Sequence, residues 1–105
     1  MKRIDEQTVK TLFSLCGCEP AQLVTHNKET NCCCIVAAIA LACEINPSTF
    51  NLQDLAEASG FDATYLNWLA TGWDCPHAQA NQVIPEKQYG ILDGQMAWRV
   101  MNATN

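Results

Sequence analysis

The chain has 105 residues, of which 49% are hydrophobic and 16% are charged, and its formal net charge is −5. This length and composition favour one domain, residues 1–105, with a single core. The longest apolar run, Cys32 to Cys43, is much shorter than the about 20 residues of a membrane-spanning helix, so we expect no membrane interaction.

Seven cysteines are a high and odd number for a chain of this size. The N-terminal stretch MKRIDEQTVK is charged and has no apolar core, so the sequence predicts no signal peptide and a cytoplasmic location. In that compartment we expect reduced thiols rather than a framework of disulfides.

The charged residues are distributed unevenly along the chain. No Lys or Arg lies between Lys28 and Lys87, whereas seven Asp and Glu residues do. An acidic stretch of this length repels phosphate backbones and suits a basic partner. We therefore expect a protein partner with a basic surface and disfavour DNA.

The first predicted element is an amphipathic helix. Its apolar residues recur at helical spacing from Ile4 to Leu15, and Gly17 is the expected C-terminal stop. Residues 18–29 include Pro20 and few apolar side chains, which is typical of a long connection.

The next segment predicts a helix at the centre of the fold. Asn31 has a side chain suited to capping a helix N-terminus, and the residues that follow are apolar on every face as far as Glu44. A helix that is apolar all round is buried all round, so we expect residues 31–44 to form the central helix.

Two shorter helices and a hairpin complete the predicted fold. Asn51 and Asp62 are suited to cap the two helices, and Gly60 and Gly72 are their expected stops. The fold class is therefore mainly α: a compact four-helix domain with a central buried helix and a C-terminal β-hairpin.

The hairpin is predicted over residues 87–100. Asp93-Gly94 lies between two segments of alternating polarity, and this dipeptide favours a two-residue hairpin turn. A helix from Asp93 to Met101 is the competing interpretation. The facing pairs of the hairpin would be Ile91 with Met96 and Tyr89 with Trp98.

Residues 52–72 resemble the helix-turn-helix unit of bacterial and phage regulators. The resemblance rests on Ala56 where the helices cross, Gly60 in the turn, and Leu66 and Leu69 on the inward face of the second helix. It implies two crossed helices that contact either DNA or another protein.

Applied to DNA, the resemblance implies that the helix from Asp62 to Thr71 enters the major groove. Thr64, Asn67 and Trp68 would then contact bases or sugars. The unit itself contains no Lys or Arg to neutralise phosphates. A DNA-binding transcription regulator is therefore the second functional interpretation.

The run NCCCIVAAIALA resembles the nucleophile helix of papain-like and transglutaminase-like thiol enzymes. The resemblance implies that Cys33 attacks a carbonyl, His77 takes and returns the proton, and Asp93 orients the imidazole. A helix N-terminus favours a thiolate, which makes Cys32 and Cys33 the expected reactive positions. A Cys-His-Asp thiol enzyme is the third interpretation.

A metal site is a further alternative for the cysteines. Cys16, Cys18, Cys75 and His77 could together supply four zinc ligands, with three sulfurs and one imidazole. The C-x-C spacing is tighter than the spacing usual in zinc knuckles, and this argues against the site.

Packing is the expected role of Cys32, Cys34 and Cys43. Free cysteine is among the most buried residue types and behaves as a small hydrophobe. Cys33 lies on another face at the start of the predicted helix and is therefore the thiol expected to be most accessible.

Protein binding without catalysis is the leading functional hypothesis. The expected contact residues are three aromatic and two acidic side chains: Tyr65, Trp68, Trp73, Asp62 and Asp74. We expect a small acidic regulatory or inhibitory protein, of the kind that phages and mobile elements encode, with no cofactor. A homodimer is the alternative to a different partner.

Overall fold

Five helices and a small three-stranded sheet make up residues 1–103, which are the residues that the computed structural model describes. The helices are α1 (Glu6–Cys16), α2 (Ile35–Ala42), α3 (Leu52–Ser59), α4 (Ala63–Asp74) and α5 (Pro85–Ala103). The strands are β1 (Glu19–Pro20), β2 (His26–Asn27) and β3 (Cys32–Cys33). In the sheet, β3 is parallel to β1 on one side and antiparallel to β2 on the other. The mainly helical prediction is confirmed, although four helices were expected.

Local capping explains where three of the helices begin. The side chains of Asp5, Asn51 and Asp62 accept hydrogen bonds from the backbone two or three residues into α1, α3 and α4. Gly17 and Gly60 end α1 and α3 in the left-handed conformation that glycine adopts without strain. The predicted caps of α3 and α4 are therefore confirmed.

The central helix α2 begins later than predicted. Its N-cap is Cys34, whose Sγ accepts a hydrogen bond from the backbone of Ala37, and not Asn31. Asn31 has a positive φ of 54° and precedes β3, so it turns the chain into a strand. The expected burial is confirmed from Ile35 to Ala40 only, since Leu41 is half-buried and Ala42 is exposed.

The predicted β-hairpin is wrong, because residues 85–103 form one continuous helix, α5. The glycines of this region serve close packing rather than turns. A Cβ atom at Gly94 would lie 2.2 Å from the carbonyl oxygen of Leu69, and one at Gly72 would lie 2.2 Å from that of Ile91. The predicted stop of α4 at Gly72 is also wrong, because α4 continues to Asp74. Helices α4 and α5 share the most extensive contact between elements in the described fold.

Two groups of side chains join the N-terminal segment to this helix pair. The Trp73 ring stacks on Phe13 of α1 and meets Trp98 of α5 edge to face, with centroids 5.4 and 5.1 Å away. Asp93 is buried and accepts hydrogen bonds from the Arg3 guanidinium and the Tyr65 hydroxyl. Among the described residues, no helix has both the length and the apolar character needed to cross a bilayer.

Candidate functional site

The segment over residues 17–34, which joins α1 to α2, contains two of the three non-glycine residues that have a positive φ in the described part of the chain; the third is Glu44. Three residues of the segment have positive φ angles: Gly17 at 68°, Leu23 at 62° and Asn31 at 54°. Leucine adopts this conformation rarely, whereas glycine and asparagine tolerate it. The segment also carries three short strands and two features with chemical potential, a cluster of thiols and an exposed apolar loop.

Three thiols converge where α1 ends and β3 begins. The Sγ atoms of Cys16, Cys18 and Cys33 all lie within 4.8 Å of one another. The left-handed Gly17 turns the chain between Cys16 and Cys18, and strand pairing brings Cys33 beside them. Cys16 is half-buried, Cys18 is 8% exposed and Cys33 is completely buried.

Asn31 fixes the turn that carries the first two thiols. Its amide nitrogen donates a hydrogen bond to the carbonyl oxygen of Gly17 at 2.8 Å. Its amide oxygen accepts from the Cys18 thiol, with a sulfur to oxygen distance of 3.6 Å. Because Asn31 directly precedes β3, one side chain fixes both the C-x-C turn and the strand that carries Cys33.

Burial keeps the inner thiols of this region protonated. Loss of solvation raises the pKa of the Cys33 thiol well above its usual range, and the neighbouring Cys18 raises it further. Burial also raises the pKa of Cys18 and of Cys34. A thiol that holds its proton at neutral pH is a poor nucleophile, so a raised pKa disfavours covalent catalysis by these three cysteines.

The residues proposed for a thiol enzyme are not arranged as a triad. Cys33 lies in strand β3 and not on a helix N-terminus, and it is buried rather than accessible. Asp93 is bound to Arg3 and Tyr65. His77 is exposed and lines a surface depression with Trp98 and Arg99.

The zinc ligands proposed from the sequence are brought together only in part. Cys16 and Cys18 lie close to each other, and the third member of the cluster is Cys33 rather than Cys75 or His77. Cys75 follows α4 and is exposed. The C-x-C spacing is compatible with convergence because the left-handed glycine between the cysteines reverses the chain.

The remaining cysteines differ from the packing prediction. Cys34 is buried as expected, whereas Cys32 and Cys43 are only half-buried. Cys32 shares a hydrogen bond with the hydroxyl of Thr30, with a sulfur to oxygen distance of 3.0 Å. All seven cysteines of the described residues are free thiols.

The exposed apolar loop follows β1. Leu23 is 81% exposed, and three hydrogen bonds connect its loop to the end of α4. The Leu23 backbone N–H donates to Asp74 at 2.8 Å, the Gln22 amide donates to the carbonyl oxygen of Trp73, and the Trp73 indole N–H donates to the carbonyl oxygen of Ala21. We call residues 21–25 the Leu23 loop.

The five predicted protein-contact residues do not form one surface. Tyr65 and Trp73 are completely buried, because α5 covers the face of α4 that the predicted hairpin would have left open. Trp68 is half-buried, and Asp62 is exposed and caps α4. Asp74 is half-buried and acts indirectly, by holding the Leu23 loop.

The outward face of α4 carries the residues that the sequence predicts as possible DNA contacts. Thr64 and Asn67 are exposed. The Lys87 ammonium lies 5.4 Å from the centroid of the Trp68 ring, and the Lys2 ammonium lies 4.4 Å from that of Phe61. Basic residues that are distant in sequence therefore reach the α3–α4 unit in space.

Three residues could not be recognised from the sequence: Leu23, His26, and Asn31 as the residue that bonds to both Gly17 and Cys18. The Nδ1 atom of His26 is buried and has no hydrogen-bond partner in the described residues. Strand pairing places His26 opposite Cys33. The strands have only two residues each, which is too short for an alternating sequence pattern to reveal them.

Comparison with known proteins gives no relative. No protein-family model, no curated protein sequence and no solved structure matches this chain.

Proposed function

We propose that this chain is a non-enzymatic regulatory protein that binds another protein by inserting Leu23 into an apolar cleft of the partner. The observation that carries the proposal is a largely exposed leucine in a left-handed conformation, on a loop that side-chain hydrogen bonds fix to α4. Exposure alone would mean little, since isolated apolar side chains are common on protein surfaces.

Backbone strain gives the exposed leucine its significance. A left-handed conformation costs a non-glycine residue about 1–2 kcal/mol. Such strain persists only where surrounding contacts impose it, and it concentrates at binding and catalytic sites. Here Asp74 and Gln22 supply those contacts. A loop that is already ordered around an exposed apolar side chain loses less entropy when it binds.

The charge of the chain favours a partner with a basic surface. The net charge is −5, and several carboxylates in the middle of the chain are exposed. Within residues 1–103, five of them have no ion-pair partner: Glu29, Glu44, Asp54, Glu57 and Asp62. Complementary charge would speed the encounter, whereas the apolar anchor would set how long the complex lasts.

The test compares proteins that tagged variants retain from a lysate of the cells that produce the chain. Leu23→Asp and Leu23→Gly remove the proposed anchor. Leu15→Asp is the matched control, because Leu15 is 75% exposed on the regular helix α1. We expect Leu15→Asp to retain the partner as the wild type does, and both Leu23 variants to bind it roughly thirtyfold more weakly, as for an interface hot spot.

Two results would contradict the proposal. One is undiminished retention by Leu23→Gly, and the other is equal loss from Leu15→Asp. Sedimentation of the purified chain distinguishes a second copy from a different partner. A wild-type dimer that Leu23→Asp dissociates would identify the partner as another copy of this chain.

DNA binding is a second candidate, and the position of Lys87 favours it. The Lys87 ammonium lies over Trp68 on the face of α4 that also exposes Thr64 and Asn67. This cation would stand near a phosphate if that face entered the major groove. The overall negative charge opposes such binding, which is why DNA ranks second.

A gel-shift experiment at low salt tests the second candidate. We expect DNA retention, if it occurs through this face, to weaken in Lys87→Gln. Lys10→Gln is the control, because Lys10 lies on α1 and pairs there with Glu6. An absence of retention, or equal weakening by both variants, would remove this candidate.

A further inference from the structure

We propose that Cys16, Cys18 and Cys33 bind one Zn²⁺ ion, with His26 as the fourth ligand. This site is separate from the proposed protein-binding function, which depends on the Leu23 side chain and requires no metal. Three independent observations carry the proposal: the convergence of the thiols, the unpartnered imidazole nitrogen, and the geometry of the strand pair that joins them.

The thiols are already close to the spacing that zinc requires. Tetrahedral coordination with Zn–S distances of about 2.3 Å separates two sulfurs by about 3.8 Å. The three Sγ atoms lie within 4.8 Å of one another, so contraction by about 1 Å or less completes the sulfur face of the site. Side-chain rotations of Cys16 and Cys18 are sufficient for this, since the chain between them already reverses at Gly17.

The fourth ligand that we propose lies on the neighbouring strand, outside the group of three sulfurs, so its imidazole must rotate toward them to bind the metal. His26 and Cys33 are directly opposite each other in the antiparallel pair of β2 and β3. The backbone of Cys34 donates to the carbonyl oxygen of Thr25, which makes the next pair along, His26 with Cys33, a non-hydrogen-bonded pair. In such pairs the Cα atoms are about 4.5 Å apart and the side chains share one face of the sheet.

One nitrogen of the His26 imidazole has no hydrogen-bond partner among the described residues and is therefore available to bind a metal ion. Buried polar atoms are nearly always hydrogen-bonded, and an exception calls for an explanation. His26 Nδ1 is such an exception among the described residues. Coordination to a metal would satisfy this atom, because a neutral imidazole nitrogen is a common zinc ligand.

The donor set selects the metal. Three sulfurs and one imidazole are a donor set of structural zinc sites, and soft thiolates disfavour magnesium and calcium. On binding, three S–H bonds break, their protons leave to the solvent, and three Zn–S bonds form. No oxidant or reductant is required. Asn31 would act as a positioning residue, since its amide nitrogen holds the Gly17 turn between the two cysteines.

The experiment titrates Zn²⁺, and then Co²⁺ as a spectroscopic probe, into the full chain, reduced and freed of metal. We expect one Zn²⁺ per chain and, with Co²⁺, the charge-transfer and visible absorption bands of a tetrahedral thiolate site. Cys16→Ser and Cys18→Ser should each weaken Zn²⁺ binding by at least about a hundredfold, and His26→Gln by at least about tenfold. Circular dichroism verifies the fold of each variant.

Cys75→Ser and Cys43→Ser are the matched controls, because they remove thiols outside the cluster. We expect both to bind Zn²⁺ as the wild type does. Cys16 is half-buried at the end of α1, so its substitution tests the site even if Cys33→Ser does not fold.

Several results would overturn the proposal. They are an absence of Zn²⁺ binding by the reduced wild type, equal binding by Cys16→Ser, or loss of binding in Cys75→Ser. Binding of Cu⁺ without Zn²⁺ would overturn the choice of metal. Unchanged affinity in His26→Gln would overturn the assignment of the fourth ligand.

Discussion

Helices α4 and α5 are held together by close backbone contact, whereas the segment over residues 17–34 is held by the pairing of short strands and by side-chain hydrogen bonds. The helix pair has glycines where the backbones approach, at Gly72, Gly90 and Gly94. The segment has strained residues where the chain turns, at Leu23 and Asn31. The difference indicates a division of roles, in which the helix pair supports the fold and the segment carries both candidate sites.

The two regions depend on each other through α4. Trp73 and Asp74 at the end of α4 hold the Leu23 loop, while Trp73 also packs against Phe13 and Trp98 in the core. Damage to the helix pair should therefore affect both regions, whereas damage to the segment should remain local.

The largest expected effect comes from Gly94→Ala in the helix pair. The added methyl group would lie 2.2 Å from the Leu69 carbonyl oxygen, so the helices must separate. We expect the free energy of unfolding in urea to fall by about 3 kcal/mol or more. Gly17→Ala is the control, since its methyl group meets nothing within 4 Å and only the positive φ opposes it. Its expected loss is about 1 kcal/mol, and an equal loss from both variants would refute close packing as the cause.

The next effect is that of Tyr65→Phe, which removes the hydroxyl that joins the N-terminus to α5. The hydroxyl donates to Asp93 at 2.7 Å and accepts from the backbone N–H of Ile4 at 2.8 Å. Because Asp93 and Ile4 each lose a buried hydrogen bond, we expect the free energy of unfolding to fall by about 2 kcal/mol. Tyr89→Phe on the exposed side of α5 is the control and should change stability by less than about 0.5 kcal/mol.

Asn31→Ala tests whether the segment depends on its side-chain hydrogen bonds. The substitution removes the bonds to Gly17 and to the Cys18 thiol, and it leaves alanine at a positive φ. We expect the free energy of unfolding in urea to fall by about 1.5 kcal/mol. Asn31→Gly relieves the strain but not the lost bonds, so it should lose about half as much. Equal losses would mean that backbone strain is unimportant at this position.

Alkaline pH should weaken the helix pair through Tyr65. Burial raises the pKa of the Tyr65 phenol above the value of about 10 that it has in the unfolded chain. The stability contributed by the protonated phenol is fully present below about pH 10 and is lost as the pH rises toward the folded-state pKa. Over that range the free energy of unfolding should fall with pH more steeply in the wild type than in Tyr65→Phe, by about 1.4 kcal/mol per pH unit. Equal slopes in reduced samples would contradict the burial of an uncharged phenol.

The smallest expected effect is a gain in stability from Leu23→Gly. Glycine adopts the left-handed conformation without strain, although it loses more entropy on folding, so the net gain should be about 0.5–1 kcal/mol. Leu15→Gly at the equally exposed position on α1 should instead lose about 0.5–1 kcal/mol. A loss at both positions would mean that the Leu23 backbone is not strained.

Local signals in the sequence were sufficient for the helices whose ends depend on nearby residues. Asn51 and Asp62 cap α3 and α4 through atoms three residues away, so their roles could be predicted. Gly94 could not be assigned correctly, because a turn and a close helix contact both favour glycine. Only the presence of α4 against α5 decides between them.

The thiol cluster depends on contacts between residues that are distant in sequence. Cys16 and Cys18 are close along the chain, so the sequence indicates both as candidate ligands of one site. Cys33 reaches them through the pairing of two-residue strands. Strands this short leave no periodic signal, so His26 and Cys33 could not be matched from the sequence. Leu23 was missed for a related reason, since only the folded backbone reveals its left-handed conformation.

We propose that the segment over residues 17–34 carries a zinc site, because Cys18 and Cys33 lie beside Cys16 and His26 lies opposite Cys33 in the sheet. X-ray absorption at the zinc edge of the one-to-one complex tests this most directly. We expect a first shell of three sulfurs at about 2.3 Å and one nitrogen at about 2.0–2.1 Å. A shell of only nitrogen and oxygen atoms, or one with fewer than three sulfurs, would contradict the claim.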